Sequence, residues 1–315
     1  METPAVYSIP MTTRFRGITV REGLLFRGPA GWGEFCAFPE YDDREAAAWF
    51  AGAREAAEEG WPEPVRSRVP VNCIVPAVGP ATAADLARAS GCSTAKVKVA
   101  DHPGSAGEDR ERVAAVRDAL GPGGHVRVDA NTRWTVDEAV REIRALDRAA
   151  GGLQYVEQPC VTIEELAAVR RRVDVRIAAD EAIRRAADPL RVSVREAADV
   201  AILKCLPLGG VRRALRVAEA VGLPCVVSSA LESSVGLAAE IALAAALPEL
   251  DYACGLGTGL LLTTDVVAET DRLLPVDGWL PVPRTAPDPV RRHEVAADPE
   301  TTAWWRTRAE RLASA

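Results

Sequence analysis

The sequence is poor in the residue types on which several classes of enzyme depend. It contains only three histidines, His102, His125 and His293, and no G-x-S-x-G motif surrounds the serines of SSALESS at 228–234. A serine hydrolase needs a histidine as the general base beside its nucleophile. The sequence therefore gives little support to a hydrolase triad.

Cysteine follows no recognisable pairing pattern. The seven cysteines are an odd number and include no CxxC pair. This usage is typical of reduced thiols in a cytoplasmic protein, so we expect a cytoplasmic location.

Long apolar runs and targeting signals are also missing. The most apolar stretch, VGLAAEIALAAAL at 235–247, contains Glu240 and is too short to span a bilayer. It is predicted to be a buried helix. The N-terminus, METPAVYSIPMTTRFRG, lacks the basic-then-apolar pattern of a signal peptide. We therefore expect no membrane partner.

The overall composition is that of a globular protein. The chain of 315 residues is 48% hydrophobic and 26% charged, with a net charge of −7. Its length allows one large domain or two smaller ones. The acidic balance gives no reason to expect nucleic acid as a partner.

Short apolar runs recur through most of the chain, with starts 22 to 30 residues apart. Ala-, Arg-, Glu- and Leu-rich segments fill most of the gaps, and such alternation predicts parallel βα units. Eight units fit a TIM-type (β/α)7β barrel, with a doubly wound α/β sheet as the alternative. The eight predicted strands are VNCIV (71), AKVKV (95), HVRVD (125), LQYVE (153), VRIAAD (175), DVAILK (199), PCVVSS (224) and DYACG (251).

The segments between the strands carry helix signals. VDEAVREIRALDRAA at 136–150 has its apolar residues on one helical face. Thr135 with Glu138, and Thr162 with Glu165, have the spacing of capping boxes. Helices are therefore predicted to begin directly after these threonines.

The two ends of the chain differ from the repeating part. FRGITVREGLLFRGPAGWGEF alternates like a small antiparallel sheet, and DDREAAAWFAGAREAAEEG follows as a helix. We predict an α+β capping domain at 1–70, completed by the tail at about 275–315, and a barrel domain at 71–274.

Charged residues end five consecutive predicted strands. In a barrel these ends open onto one mouth, which is where barrel enzymes place their chemistry. A single aspartate at such a position is an ordinary helix cap. For the whole set of charged residues, the alternative to a catalytic site is a group of structural salt bridges across the mouth. The residues are Lys96 and Lys98 (strand two), Asp129 (three), Glu157 (four), Asp180 (five) and Lys204 (six).

The period of a strand assigns these charges to the inside of the barrel. Lys96 and Lys98 share one face, and so do Asp129 and Asn131, because alternate residues of a strand point the same way. Valines occupy the opposite face. Three converging carboxylates repel one another unless a cation lies between them. An all-oxygen set favours Mg²⁺, with Mn²⁺ as a substitute and Zn²⁺ disfavoured.

The lysines suit proton transfer. A lysine beside a second lysine and a metal ion loses part of its preference for the protonated form, so its pKa falls. Such a lysine can remove a proton next to a carboxylate whose charge a metal ion stabilises.

These residues make the chain resemble the enolase superfamily, in its muconate-lactonizing subgroup. GWGEFCAFPEY (31–41) and SSALESSVGL (228–237) further resemble the o-succinylbenzoate synthase family, and the resemblance covers essentially the whole chain. The barrel motifs that carry it are KVKV (96–99), VDANTRW (128–134), EQP (157–159), DE (180–181) and LKCLPLGG (203–210).

The resemblance implies a role for each matching position. Asp129, Glu157 and Asp180 would be the Mg²⁺ ligands. Lys98 would be the acid and base, and Lys204 would stabilise an enediolate across the ring.

Further roles follow less directly from the same resemblance. Lys96 would help to orient Lys98 and to lower its pKa, and Asn131 would orient the carboxylate or the metal waters. Ser228 and Ser229 would help to hold the substrate, and Arg14 is a candidate contact for a succinyl carboxylate. The subgroup's strand-six lysine is usually followed by proline, whereas Cys205 follows Lys204 here.

The implied activity is a dehydration. The resemblance implies a Mg²⁺-dependent syn elimination that converts 2-succinyl-6-hydroxy-2,4-cyclohexadiene-1-carboxylate to o-succinylbenzoate in menaquinone biosynthesis. The alternatives on the same scaffold are an N-succinylamino acid racemase, a dipeptide epimerase or a cycloisomerase. A barrel that only binds a ligand is disfavoured, because every expected catalytic position is filled. The expected partner is a small carboxylate.

Overall fold

A computed structural model describes residues 3–314 of the chain. The strands are β1 (Ala5–Phe15), β2 (Ile18–Arg27), β3 (Trp32–Phe35), β4 (Arg68–Pro70), β5 (Cys73–Val75), β6 (Thr94–Lys98), β7 (His125–Asp129), β8 (Leu153–Glu157), β9 (Ile177–Ala179), β10 (Val200–Leu203), β11 (Cys225–Val227) and β12 (Trp279–Pro281). The helices are α1 (Asp43–Glu58), α2 (Pro80–Ala89), α3 (Ala106–Leu120), α4 (Val136–Ala150), α5 (Ile163–Arg170), α6 (Glu181–Arg184), α7 (Cys205–Leu208), α8 (Val211–Val221), α9 (Ser234–Ala246) and α10 (Pro299–Ala313).

Strands β5 to β11 form one parallel sheet in chain order, which confirms the predicted barrel. A doubly wound sheet would reverse its strand order at a switch point, so that alternative is wrong. The eighth predicted strand is reduced to two parallel bridges, Val71 with Cys254 and Ser228 with Gly255. These bridges join the segment to both edges of the sheet. Gly255 permits the close approach, because a Cβ there would lie 2.6 Å from Ser228 Oγ.

The two predicted capping boxes are present. The Thr135 side chain accepts from the backbone N–H of Glu138, and the Glu138 carboxylate accepts from the backbone N–H of Thr135. Thr162 and Glu165 repeat the arrangement at the start of α5. Each box satisfies two N–H groups that a helix start otherwise leaves unpaired.

Replacing Thr135 by alanine is expected to lower the free energy of unfolding by about 1 kcal/mol, because the cap at α4 is lost. Urea denaturation of the variant and the wild type measures the difference. Thr307→Ala, on the exposed side of α10, serves as the control and should change stability by less than about 0.5 kcal/mol. Equal losses in the two variants would contradict the role of the cap.

The N-terminal part of the chain forms a second layer over the barrel. Strands β1, β2 and β3 make an antiparallel sheet, and α1 packs against it. The sheet begins earlier than the sequence pattern predicted, at Ala5. Gly33 allows the helix to approach β3 closely, since a Cβ at this position would lie 2.2 Å from the Ala53 carbonyl oxygen.

The C-terminal helix α10 packs against this layer. Trp305 Nε1 donates to Glu22 Oε2 at 3.3 Å, and Arg308 donates to the carbonyl oxygens of Ala37 and Phe38. The tail therefore contacts the capping sheet, whereas the domain limits at residues 70 and 275 stay a prediction.

Membrane insertion of a helix finds no support in the fold. Within residues 3–314, every helix is too short or too polar to cross a bilayer. The apolar helix α9 is instead buried along almost its whole length.

Candidate active site

Parallel strands bring the charged residues of the sequence to one end of the barrel. Lys98 on β6 is the register partner of Asp129 on β7, and Asp129 is the partner of Glu157 on β8. Asp180 directly follows β9, and Lys204 directly follows β10. Five consecutive strands thus place a charged side chain at the same end.

The two lysines of β6 are paired with the carboxylates of β7 and β8. Lys96 Nζ donates to both oxygens of Glu157, at 3.0 and 2.9 Å, and lies 3.4 Å from Asp129 Oδ2. Lys98 Nζ donates to the same oxygen of Asp129 and, at 2.6 Å, to Asn131 Oδ1. Asn131 thereby contacts the Lys98 ammonium directly.

The carboxylate after β9 has two cations of its own. Lys204 Nζ donates to Asp180 Oδ2 at 2.7 Å, and Arg184 Nε donates to Asp180 Oδ1 at 2.9 Å. Arg184 also donates to Glu181 Oε1 at 2.8 Å and to the Tyr41 hydroxyl at 3.0 Å. Since Tyr41 belongs to the capping layer, Arg184 links that layer to the barrel mouth.

The two lysines of one strand differ in proton affinity. Burial lowers the pKa of Lys98, and Lys96 lowers it further, against the attraction of Asp129. Burial also disfavours the charged form of Lys96, but the negative charges of Glu157 and Asp129 outweigh it and raise the pKa of Lys96. Lys98 is therefore the lysine that releases its proton more readily, as a general base must.

The carboxylates are also unequal. Burial and, after it, the negative charge of Asp129 together raise the pKa of Glu157 to about 7. Burial acts on Asp180 in the same direction, but Arg184 and Lys204 outweigh it and lower the pKa of Asp180 to about 2. Glu157 therefore bears the mutual repulsion of the buried carboxylates.

The chemistry of this donor set fits a hard divalent cation. Asp129, Glu157 and Asp180 are each at most 1% exposed, and carboxylate oxygens are the ligands that Mg²⁺ prefers. A cation between them would relieve the repulsion that raises the pKa of Glu157.

The present side-chain arrangement is not a closed metal cage. In the described part of the chain, no three His, Cys, Asp or Glu side chains are grouped closely enough to hold an ion. The reason is that Lys96, Lys98, Lys204 and Arg184 attract the carboxylate oxygens. Metal binding therefore requires that some oxygens turn from these cations.

A cavity of about 40 Å³ lies over the charged cluster. Both layers of the fold contribute to its wall, which is aromatic on the capping side except for Arg16 and carries hydroxyl groups near β11. The lining includes Phe15, Arg16, Phe38, Trp49, Ile74, Lys96, Lys98, Asp129, Asn131, Arg184, Lys204, Pro207, Ser228, Ser229, Ala230, Leu231 and Thr258.

Lys98 and Lys204 face the cavity from opposite sides. Strands β6 and β10 are four places apart in the order of the sheet, which is half of an eight-membered barrel. Both lysines line the cavity. A planar ligand between them would present one face to each ammonium group.

The predicted substrate contacts fall in different places. Ser228 and Ser229 line the cavity, and Ser229 Oγ lies 2.5 Å from Thr258 Oγ1. Arg14 is exposed and lines an outer groove that is continuous with the mouth. Arg16 lines both the cavity and the groove, with its guanidinium 3.8 Å from the centre of the Phe38 ring. Arg16 is therefore better placed than Arg14 to meet a ligand.

Unusual backbone conformations are concentrated around the cavity. Arg16, Asn131, Gln158 and Leu231 have φ values of 51°, 43°, 40° and 70°. Residues with a side chain rarely adopt the left-handed region, and such strain clusters at functional sites. For Asn131 the local compensation is a hydrogen bond from its N–H to Asp129 Oδ1, at 3.0 Å.

Arg16, Tyr41 and Arg184 were not predicted from the sequence as site residues. Arg184 follows Asp180 by four residues, a spacing at which helical side chains form ion pairs, so the sequence does carry that signal. Tyr41 and Arg16 reach the site only through the packing of the capping layer.

Lysine usage is a second signal that the sequence offered. Lys96, Lys98 and Lys204 are the only lysines of the chain, which otherwise uses arginine for its positive charge. All three line the cavity. Arginine does not release its proton, so it cannot replace a lysine that transfers one. The concentration of all lysines at this cavity therefore marks the cavity as a site of proton transfer.

Comparison with known families agrees with this architecture. Residues 6–57 match the family model described as enolase N-terminal domain-like, and residues 80–287 match the model described as enolase C-terminal domain-like.

Curated relatives and solved structures are similar over nearly the whole chain. An o-succinylbenzoate synthase of Thermobifida fusca is 63% identical over 96% of this chain and 93% of its own length. One of Mycobacterium tuberculosis is 54% identical over 95% of this chain and 90% of its own length. The structure of the muconate lactonizing enzyme from Pseudomonas putida superposes with a TM-score of 0.74 and 21% identity, covering 94% of this chain and 98% of that one.

Proposed function

Because this chain belongs to the o-succinylbenzoate synthase family of the enolase superfamily, we propose that it is a hydro-lyase that forms o-succinylbenzoate. The substrate is 2-succinyl-6-hydroxy-2,4-cyclohexadiene-1-carboxylate, the products are o-succinylbenzoate and water, and the step belongs to menaquinone biosynthesis. The reaction takes place in the cytoplasm, whose reducing conditions suit seven free cysteines.

One observation carries the proposal more than any other. Lys98 and Lys204 line the same cavity from opposite sides, and the buried carboxylate of Asp129 lines it as well. An elimination next to a carboxylate needs a base on one face of the ring and charge stabilisation of the intermediate. This cavity offers both.

Lys98 acts twice in the proposed reaction. In its neutral form, Nζ removes the proton from the ring carbon that bears the carboxylate, and an enediolate forms. The protonated Nζ then gives this proton to the departing hydroxyl on the same face, the carbon–oxygen bond breaks, and water leaves. The electron pair completes the aromatic ring, which makes the step strongly favourable.

The other cations of the site support Lys98. Lys204 places the positive charge of its ammonium group on the opposite face of the enediolate. Lys96 lowers the pKa of Lys98, and Asn131 orients the Lys98 ammonium through its Oδ1. Lys96 and Asn131 therefore support proton transfer by Lys98, and Lys204 stabilises the negative charge of the intermediate.

Mg²⁺ is the proposed cofactor, with Asp129, Glu157 and Asp180 as its ligands and Mn²⁺ as a substitute. When bound, the ion would supply positive charge to the substrate carboxylate and so increase the acidity of the adjacent C–H bond. Ser228 and Ser229 are proposed to help hold the substrate, since both residues line the cavity.

The alternative is a racemase or epimerase on the same scaffold. Two lysines on opposite faces of one cavity are also what a two-base racemisation requires. The position of Lys98 and Lys204 therefore favours this second function as well, and the choice depends on a measurement.

An assay with two substrates separates the functions. Purified protein with Mg²⁺ is expected to convert the cyclohexadiene acid to an aromatic product, which is followed by ultraviolet absorbance. In parallel, N-succinylamino acids are incubated in deuterated water and followed by NMR. Racemisation or exchange without aromatisation would overturn the dehydratase. Activity that survives both EDTA and the Lys98→Ala substitution would overturn the mechanism.

A further inference from the structure

Glu240 is a buried acidic residue for which the proposed mechanism has no use. It lies in α9, where the neighbouring residues are small or apolar, and it is 0% exposed. Burial raises its pKa well above the usual value. A buried carboxyl group is costly unless hydrogen bonds compensate for the lost water.

The compensation comes from the backbone that follows Lys204. The N–H of Cys205 donates to Glu240 Oε2 at 2.7 Å, and the N–H of Leu206 donates to Glu240 Oε1 at 3.3 Å. These are the first two residues of α7. The first N–H groups of a helix have no partner within the helix, so Glu240 satisfies two of them.

A helix start is normally capped by the side chain of the residue at its N-cap. At α7 that residue is Lys204, which makes no such cap. Lysine has no acceptor atom, and its ammonium group is directed to Asp180 in the cavity. The cap must therefore come from elsewhere in the fold. Cys205 contributes to this arrangement, because a proline at its position would have no N–H to donate.

A second glutamate does the same for the next helix. Glu55 of α1 accepts from the N–H groups of Val211 and Arg212, the first residues of α8. The first residue that donates to Glu55, Val211, lies seven residues beyond Lys204, whereas Cys205 is directly next to Lys204. Glu55 is thus a natural control for a cap that does not adjoin the lysine.

We propose that Glu240 is a positioning residue, which holds the backbone directly after Lys204 and so keeps the Lys204 ammonium directed into the cavity. The geometric part of this proposal is independent of the reaction, whereas its kinetic consequence rests on the proposed function. Without the Glu240 side chain, α7 loses its cap. Lys204 occupies the N-cap position of α7, so its side chain moves when the start of the helix rearranges.

The scarcity of lysine allows a direct test of the geometry. Protein labelled with ¹³C at the ε-carbon of lysine should give three NMR signals, one for each of Lys96, Lys98 and Lys204. Lysine-to-arginine variants assign them. In Glu240→Gln and Glu240→Leu we expect the Lys204 signal to shift while the other two keep their positions, and in Glu55→Gln we expect all three to stay.

Kinetics test the consequence. Glu240→Leu is expected to lower kcat by about 10- to 100-fold with a smaller change in KM, which is the scale of a misplaced catalytic group. Glu55→Leu should stay within about 3-fold, although both variants lose stability. In a Lys204→Ala background the Glu240 substitution should cause no further loss, since two changes that act through one group are not additive.

The outcomes are distinct. An unmoved Lys204 signal in folded Glu240→Gln protein, or equal shifts of all three lysines, would overturn the positioning role. So would full additivity with Lys204→Ala. Glu240→Gln keeps the side-chain volume and one acceptor oxygen. If Glu240→Leu does not fold, the glutamine variant can still be tested. If the wild type performs no dehydration, the proposed function fails, but the NMR result still decides the role of Glu240.

Discussion

Lys98→Ala is expected to lower the rate of dehydration by about four orders of magnitude, the upper end of the effect of a general acid–base group. In the proposed mechanism Lys98 both removes the ring proton and protonates the leaving hydroxyl, so the variant loses both steps. Product formation by the variant under saturating substrate and Mg²⁺ measures the loss. Folding should persist, because Lys96 still lies beside Asp129.

Lys98→Arg distinguishes proton transfer from charge. Arginine keeps the positive charge next to Asp129 but does not release its proton. The arginine variant should therefore be nearly as inactive as the alanine variant while retaining substrate affinity. Substantial activity in Lys98→Arg would show that the lysine acts through its charge alone.

Asp129→Asn is expected to abolish the stabilisation of the protein by Mg²⁺. A ligand that binds only the folded state adds about 2.7 kcal/mol of stability at a concentration of 100 Kd. The wild type should therefore melt at a higher temperature when MgCl₂ is added, and Asp129→Asn should not. Dehydration should fall in parallel to the level of EDTA-treated wild type.

Asp265→Asn is the matched control for the metal prediction. Asp265 is also fully buried, but its oxygens accept from Ser234 and from the N–H of Val266 rather than from the lysines. This variant should lose stability yet keep the Mg²⁺-dependent rise in melting temperature. A wild type with no such rise, or an Asp129→Asn variant that keeps it, would exclude Asp129 as a ligand.

Much of the fold could be predicted because its signals are local. The period of the βα units and the capping boxes at Thr135 and Thr162 depend on residues close together in the chain. The last unit was harder to place. The backbone between Tyr252 and Gly255 closes the barrel through one isolated bridge to each edge of the sheet. The pattern of side chains predicts a strand here but does not show that it forms so few backbone hydrogen bonds.

The site residues also divide into those that the sequence could predict and those that it could not. Lys98, Asp129 and Glu157 could be placed at one mouth because parallel strands align their ends. Arg16 and Tyr41 could not, since they arrive from another layer and their positions depend on how α1 and the capping sheet pack. Arg14 and Arg16 are equivalent by sequence, and only the turn between β1 and β2 decides which one lines the cavity.

The sequence by itself determined which strands end in charge, and therefore which chemistry this barrel can host, because the period of two in a strand assigns each side chain to a face. Only the tertiary structure decided how those charges are paired and held. Lys98 shares Asp129 with Lys96, and Glu240 supplies from a distant helix the cap that Lys204 cannot give. Such pairings join residues far apart in the chain, and their energies depend on burial that no local pattern records.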